Sequence, residues 1–286
     1  MQNLCQYFLY FTIYSFIGWA CECVYCSIPA KKFINRGFLN GPFCPVYGVG
    51  AVLVIRFLTP VQGSIPALFL LGMLVTSVVE YLTSYLLEKA FHMKWWDYSN
   101  MPLNLHGRVC LLNSTEFGIL CVVLMRLVHP KVQHLVGELS ASWLLGVSIA
   151  FAVYFVTDTA FTVYSILALK GKLQQIHEFV EELRDRGEQL KAQVKAQMEE
   201  SLEEKLDEFF QKDLERSQKR DEENERRVQW LRERIQELET HTQWHQRRLL
   251  DAFPRMESTK YEHTVEHLRQ VIRKQREEKH QNQSAG

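Results

Sequence analysis

Val75-Thr76-Ser77-Val78-Val79-Glu80-Tyr81-Leu82-Thr83-Ser84-Tyr85-Leu86-Leu87-Glu88 is an apolar run carrying two carboxylates, and it breaks into Trp95-Trp96-Asp97-Tyr98-Ser99 and Asn104-Leu105-His106-Gly107-Arg108. Ser77, Glu80, Ser84 and Glu88 recur at three- and four-residue steps, which places them on one polar stripe of a helix with about 3.6 residues per turn. A charged residue near mid-bilayer costs roughly 2.5 to 3.5 kcal/mol on insertion scales, so acids retained in such a helix mark a buried polar site. The stretch therefore predicts a membrane helix with a functional inner face.

Whole-chain averages conceal the organisation around it. The formal net charge is zero and 47% of residues are hydrophobic, as in an ordinary soluble protein. Residues 171–286, however, hold 23 of the 33 Lys and Arg and 26 of the 33 Asp and Glu, whereas residues 1–170 are dominated by long apolar runs. This asymmetry divides the chain into a membrane domain, 1–170, and a solvated part. Charge signs alternate in the solvated part instead of clustering into a basic face, which gives no case for nucleic acid as a partner.

A helix needs about 20 residues to cross roughly 30 Å of hydrocarbon. Five segments offer crossings, 4–27, 44–58, 65–87, 113–128 and 139–169, of which the second and fourth are short. The first begins Met1-Gln2-Asn3-Leu4 without a basic region and has no small-residue cleavage pattern behind it, so it is expected to remain as a transmembrane helix. Lys31, Lys32, Arg36, Lys89, Lys94, Arg108, Lys170 and Lys172 all fall on one face of this arrangement, while the opposite connections carry only Lys131 and Glu138. The positive-inside bias then puts the N-terminus outside and the C-terminal tail in the cytoplasm of a multi-pass membrane protein.

With that topology, Glu22, Glu80, Glu88, Glu116 and Asp158 lie in the cytoplasmic half of their spans. Tyr14, Gly18, Glu22 and Tyr25 make a stripe on the first span, and Tyr154, Asp158 and Ser165 one on the fifth. Three stripes predict an interior cluster or cavity in which Glu22, Glu80, Ser84 and Asp158 line a polar route and Arg36 and Arg108 balance their charge. The plainer alternative is a set of ion pairs, Glu22 or Glu80 with Arg36 or Arg108, that only pin loops to helices. Glu88 and Glu116, near helix ends, read as interfacial.

The first cytoplasmic loop reads Asn35-Arg36-Gly37-Phe38-Leu39-Asn40-Gly41-Pro42, followed by Pro45-Val46-Tyr47-Gly48. Gly and Pro at this density specify turns and close backbone approach. Non-helical backbone at membrane depth is tolerated only where protein or a watery cavity surrounds it. Asn35, Gly37, Asn40, Gly41 and Pro42 are therefore candidates for a re-entrant or gating element, against the alternative of a surface turn. Trp96, Asp97, Tyr98 and Asn104 belong to a second loop that anchors the interface or contacts a partner.

Over residues 5 to about 170, several long motifs in this order resemble one family. Tyr14-Ser15-Phe16-Ile17-Gly18-Trp19 with Glu22, the 35–42 loop with Pro45 and Tyr47, Glu80-Tyr81-Leu82-Thr83-Ser84 with Glu88, Trp95 to Ser99, and Asn104 with Gly107-Arg108 and Asn113-Ser114 look like the ABC-transporter permeases called type IV or CmpB-like. Glu116 departs from that pattern, which has an apolar or aromatic residue there. The resemblance implies a multi-helix bacterial inner-membrane protein with transport as its activity.

No Gly-x-x-x-x-Gly-Lys-Ser/Thr phosphate loop occurs, and Gly171-Lys172 lacks both the upstream Gly and the following hydroxyl. A permease of this kind would thus need a separate ATPase subunit, and the chain itself is expected to be no enzyme and to carry no cofactor. The seven cysteines include Cys23 and Cys26 one turn apart, but without a second pair at zinc spacing they read as small apolar residues, and no metal site is expected. An intramembrane enzyme using Asp97 or Glu80 with His106 lacks any nucleophile and base in a recognisable arrangement.

Beyond Gly171, Leu173, Ile176, Val180, Leu183, Leu190 and Val194, and later Val228, Leu231, Ile235 and Leu238, keep alternating three- and four-residue steps. They predict a cytoplasmic coiled coil over 171–253, with Gly187 at a core position, a stutter between Met198 and Leu214, and then a short helix and disordered tail over 254–286. The coil is either a solvated spacer or a device that joins copies into a homo-oligomer. The fold expected is thus all-α: a polytopic transmembrane bundle of about five spans with a C-terminal coiled coil. Its function would be that of a permease subunit in contact with lipid, its substrate left open by the sequence: the acids point to a cation or small polar solute, and the paired arginines to the reverse. The competing function is a membrane-anchored scaffold whose coil recruits partners.

Overall fold

The computed structural model describes residues 2–200, 210–240, 242–254, 256–258, 264–266 and 268–273. In chain order these form α1 (Gln2–Ala30), α2 (Pro45–Leu58) with a 3-10 turn Thr59–Val61, α3 (Ile65–Phe91), β1 (Met93–Lys94), β2 (Asn104–Leu105), β3 (Val109–Cys110) and α4 (Leu111–Val123). A π-helical turn, Leu124–Val128, leads into α5 (His129–Gly137), followed by α6 (Ala141–Glu200), α7 (Phe210–Thr240), α8 (Trp244–Ala252) and β4 (Glu257–Ser258).

Among the described residues, four helical stretches are long and apolar enough to cross a membrane: Gln2–Ile28, Ile65–Phe91, Leu111–Gly137 and Ala141–Arg186. The distribution of polarity supports that reading. Large apolar side chains such as Leu74, Val78, Leu82, Ile119, Ile149, Val153 and Val156 are exposed, while Thr12, Ser15, Glu80, Ser84, Ser114, Ser148, Asp158, Thr162 and Ser165 are buried. Apolar outside and polar inside is the arrangement a bilayer favours.

The second expected crossing, 44–58, is a shorter apolar helix, Pro45–Val61. Its start explains the shortness. The Cys44 N–H donates to the Ser15 carbonyl at 2.9 Å, halfway along α1. Residues 31–43 therefore double back along α1 over about 22 Å at 1.5 Å per residue. A Cβ on Gly18 would stand 2.3 Å from Tyr47 Cγ, so this close approach of α1 and α2 requires glycine. From there α2 packs Ala51, Val54, Ile55 and Leu58 against Leu9, Tyr10 and Tyr14 of α1.

The fourth crossing runs further than expected. Residues 129–137, read from the sequence as part of an outer loop, are helical. Pro130 falls in the first turn of α5, where its missing N–H costs little, and the π turn just before it bonds the His129 N–H to the Leu124 carbonyl. A hydrogen bond of 2.9 Å between the Tyr14 hydroxyl and His129 Nδ1 ties α5 to α1.

The chain divides into two compact units, Met1–Ala168 with Trp244–Lys260, and Leu169–Gln243 with Tyr261–Gly286. Within the second, α6 and α7 run antiparallel. Arg227 reaches Glu182 with two bonds of 3.0 Å, Arg186 Nη1 donates to Asn224 at 2.9 Å, and the rings of Phe179 and Trp230 meet edge to face. Of the expected seam positions, Leu173, Ile176 and Leu231 are buried. The side chains of Gly187, Leu190, Val194 and the 198–214 stutter lie outside the described residues, as does the expected tail from residue 274. Ser258 lies in β4, paired with β1, and helix is described at 264–266 and 268–273.

Candidate functional site

The doubled-back loop collects the polar residues of the first unit. On one flank is Asp158 of α6. Its Oδ1 accepts from the Asn40 N–H at 3.0 Å and its Oδ2 from the Gly41 N–H at 2.9 Å, with the Tyr154 hydroxyl donating to Oδ2 at 3.2 Å. The Asn40 side-chain amide donates to Thr162 Oγ1 at 3.0 Å. A Cβ on Gly41 would lie 1.6 Å from the Tyr154 hydroxyl, so only glycine brings the backbone this near the carboxylate. Asp158 thus holds the turn at Asn40-Gly41 through charge-assisted bonds to peptide N–H groups.

On the other flank is Glu22 of α1. Tyr47 donates its hydroxyl to Glu22 Oε1 at 2.6 Å, and the Arg36 guanidinium lies 3.6 Å from Oε2. Asn35 Oδ1 accepts from Trp19 Nε1 at 2.8 Å and from the Gly37 N–H at 3.1 Å, which turns the chain at Gly37. The Asn35 side chain is thereby a loop-forming group.

Glu80 of α3 faces the same interior. Tyr98 and Asn113 are its side-chain hydrogen-bond partners, yet its Oε2 is buried with no partner among the described residues. Burial, then the charges of Glu80 and Glu22, push the Tyr98 hydroxyl well above its ordinary range, so it stays protonated as a donor. Tyr98 is aimed by the second loop. Asp97 Oδ1 accepts from the Ser99 N–H and hydroxyl at 2.9 and 2.6 Å, Asn104 bridges Ser99, Met101 and Gly107, and Trp96 Nε1 donates to the Arg108 carbonyl at 3.0 Å. These contacts make the β2–β3 hairpin a stiff support for one hydroxyl.

Arg108 sits elsewhere: it pairs with Glu88 at 2.7 Å, donates to Ser84 Oγ at 3.4 Å, and lies over the Tyr81 and Tyr85 rings. The geometry thus joins Arg36 to Glu22 and Arg108 to Glu88, and leaves Glu80 with neutral partners. Pro42 continues the loop toward Phe43, whose N–H closes on the Gly41 carbonyl at 2.8 Å. Tyr25, on the expected first-span stripe, is exposed.

Residues that the sequence left unassigned complete the site. Arg248 of α8 donates from Nη1 to the Gly37 carbonyl at 2.9 Å and from Nη2 to the Phe38 carbonyl at 3.4 Å. Arg36 donates back to the Ala252 carbonyl and lies 5.1 Å from the centre of the Phe253 ring. Phe253 meets Trp95 edge to face at 4.9 Å, and Trp95 in turn meets Phe38 at 5.1 Å. The only sequence signal for this docking was the Leu249-Leu250 and Phe253 apolar spacing around two arginines.

Such an arrangement binds, orients and shields charge. Asp158 faces peptide N–H groups, Glu22 a hydroxyl and the Arg36 guanidinium, and Glu80 neutral partners, while Glu80 Oε2 and Asn40 Oδ1 are buried acceptors without a partner among the described residues. No curated protein and no solved structure matches the chain. A family model does, over residues 9–163, a range that includes Glu22, the 35–42 loop, Glu80, the 95–108 loop and Asp158. The chain is therefore a multi-pass membrane protein belonging to the family described as "Putative ABC-transporter type IV".

Proposed function

We propose that this chain is the membrane-spanning permease subunit of an ATP-driven transporter for a cation or small polar solute. The observation that carries the reading is the doubled-back 31–43 segment, non-helical backbone at the depth of Ser15, with Glu22, Glu80 and Asp158 disposed around it. Broken elements that put irregular backbone at the bilayer interior are how transport sites expose polar groups without exposing them to lipid.

In this reading α2 is a fifth crossing, completed on one side by the loop. Glu22 and Glu80 face the route, Ser84 and Arg108 border it, Arg36 balances Glu22, and Asp158 sets the position of the 35–42 gate. The basic residues at the ends of α1, α3 and the membrane part of α6 put the tail in the cytoplasm and the N-terminus outside. Hydrolysis belongs to a separate ATPase subunit, since no phosphate loop occurs in the sequence. The α6–α7 pair acts as a coiled coil that joins two copies.

Purification of the tagged chain from its native membrane in mild detergent, with co-purifying proteins identified by mass spectrometry, tests this. A stoichiometric ATPase is the expected result. Its reproducible absence, with envelope proteins recovered on the helical tail, overturns the reading in favour of a scaffold.

A further inference from the structure

The 244–258 segment lies far outside the stretch that defines the family, yet it is built into the first unit at the site. We infer that this segment is a releasable latch that holds the 35–42 loop in place, and that its withdrawal frees the loop. The inference does not depend on what, if anything, the membrane unit transports.

The contacts have the character of a clasp. Each partner contributes one arginine to the other's backbone: Arg248 takes the carbonyls of Gly37 and Phe38, and Arg36 takes that of Ala252. The Phe253 ring fills the angle between Arg36 and Trp95, and β4 adds to β1 by only two residue pairs, Met93 with Ser258 and Lys94 with Glu257. Leu249, Leu250, Phe253 and Met256 are buried here. A two-pair ladder and side-chain bonds to carbonyls that water can replace make a low barrier to opening, compared with the helix-on-helix packing of α1, α2 and α3.

Connectivity supplies the handle. The chain on both sides of this segment, up to Gln243 and from Tyr261, belongs to the second unit. A partner that rearranges that unit therefore draws on the latch from its two ends. Withdrawal uncaps the carbonyls of Gly37 and Phe38, which leaves the loop held at the Asn40-Gly41 turn by Asp158 and by the Asn40–Thr162 bond.

Hydrogen–deuterium exchange on the full chain in lipid nanodiscs tests this. In Arg248→Gln and in Phe253→Ala, amides of 35–44 are expected to exchange about tenfold faster, with α3 and α4 unchanged. Faster exchange in 244–258 with wild-type rates in 35–44 overturns the latch. Should both variants lose protection throughout, the register partners Lys94 and Glu257 provide the second test. Oxidation of a Lys94→Cys, Glu257→Cys chain is expected to slow exchange of 35–44 at least about threefold relative to the same chain reduced, because closure is then permanent. Equal rates in the two forms overturn the proposal.

Discussion

Tyr47 donates its hydroxyl to Glu22 at 2.6 Å across the closest approach of α1 and α2, directly above the glycine, Gly18, that permits that approach. One sequence pattern thus performs two tasks. A small residue on α1 lets the helices touch, and Tyr47 of α2 delivers a donor to Glu22, one helical turn beyond Gly18. The acid is thereby held by a neutral group on one oxygen and by Arg36 on the other.

That geometry makes Tyr47→Phe a clean probe. It removes one hydroxyl and keeps the ring that packs on Gly18 and Phe117. Leaving a part-buried carboxylate oxygen without its donor is expected to cost about 1–3 kcal/mol. Thermal unfolding in detergent should show a drop of several degrees, and Gly18→Ala a larger one, since its Cβ would meet the Tyr47 ring itself.

Asp158→Asn should loosen the 35–42 loop more than the helices. An amide keeps one acceptor for the Asn40 or Gly41 N–H but turns a donor toward the other, so one of the two hydrogen bonds from peptide N–H groups to the side chain is lost. About 1–3 kcal/mol of stability is the expected loss. Chemical labelling of a cysteine introduced in place of Leu39, buried in the wild type, should quicken in the variant; an unchanged rate would show that other contacts hold the turn.

Tyr98→Phe and Glu80→Gln are expected to be coupled. The phenylalanine strips Glu80 of a donor in a buried site, whereas glutamine brings a donor of its own to the position. The double variant should therefore be more stable than the sum of the single losses predicts, by a coupling of about 0.5–3 kcal/mol in a double-mutant cycle of unfolding free energies. Additive losses would mean that Tyr98 acts on packing alone.

Much of this was legible in the sequence for a physical reason. Long apolar helices, the polar stripe through Glu80 and the Gly/Pro-dense loop are local patterns, and a bilayer allows few ways to satisfy them. The pairing of charges was less legible. Arg108 could have met Glu22, Glu80 or Glu88, and only the hairpin that Asp97 and Asn104 build directs it to Glu88. The helix over 129–137 was hidden by Pro130, which reads as a breaker until the π turn ahead of it is known. Arg248 was invisible because its role depends on a contact across more than two hundred residues, which no local periodicity encodes.

Acid should weaken the docking of α8. His245 faces the Phe161 ring of α6 and shares its helix with Arg248, and its Nε2 is buried with no partner among the described residues. Burial first, then the Arg248 charge, hold its pKa below the ordinary histidine value. A base depressed in the folded state carries no penalty while both folded and unfolded forms are neutral. As pH falls through the unfolded value of about 6.5, the free form takes up a proton that the docked form resists, so docking loses free energy down to the depressed folded value. Exchange or proteolytic cleavage within 244–258 should therefore rise as the pH falls through about 6.5, and His245→Gln should flatten that rise. A pH profile identical in the two chains would assign the acid response to other groups.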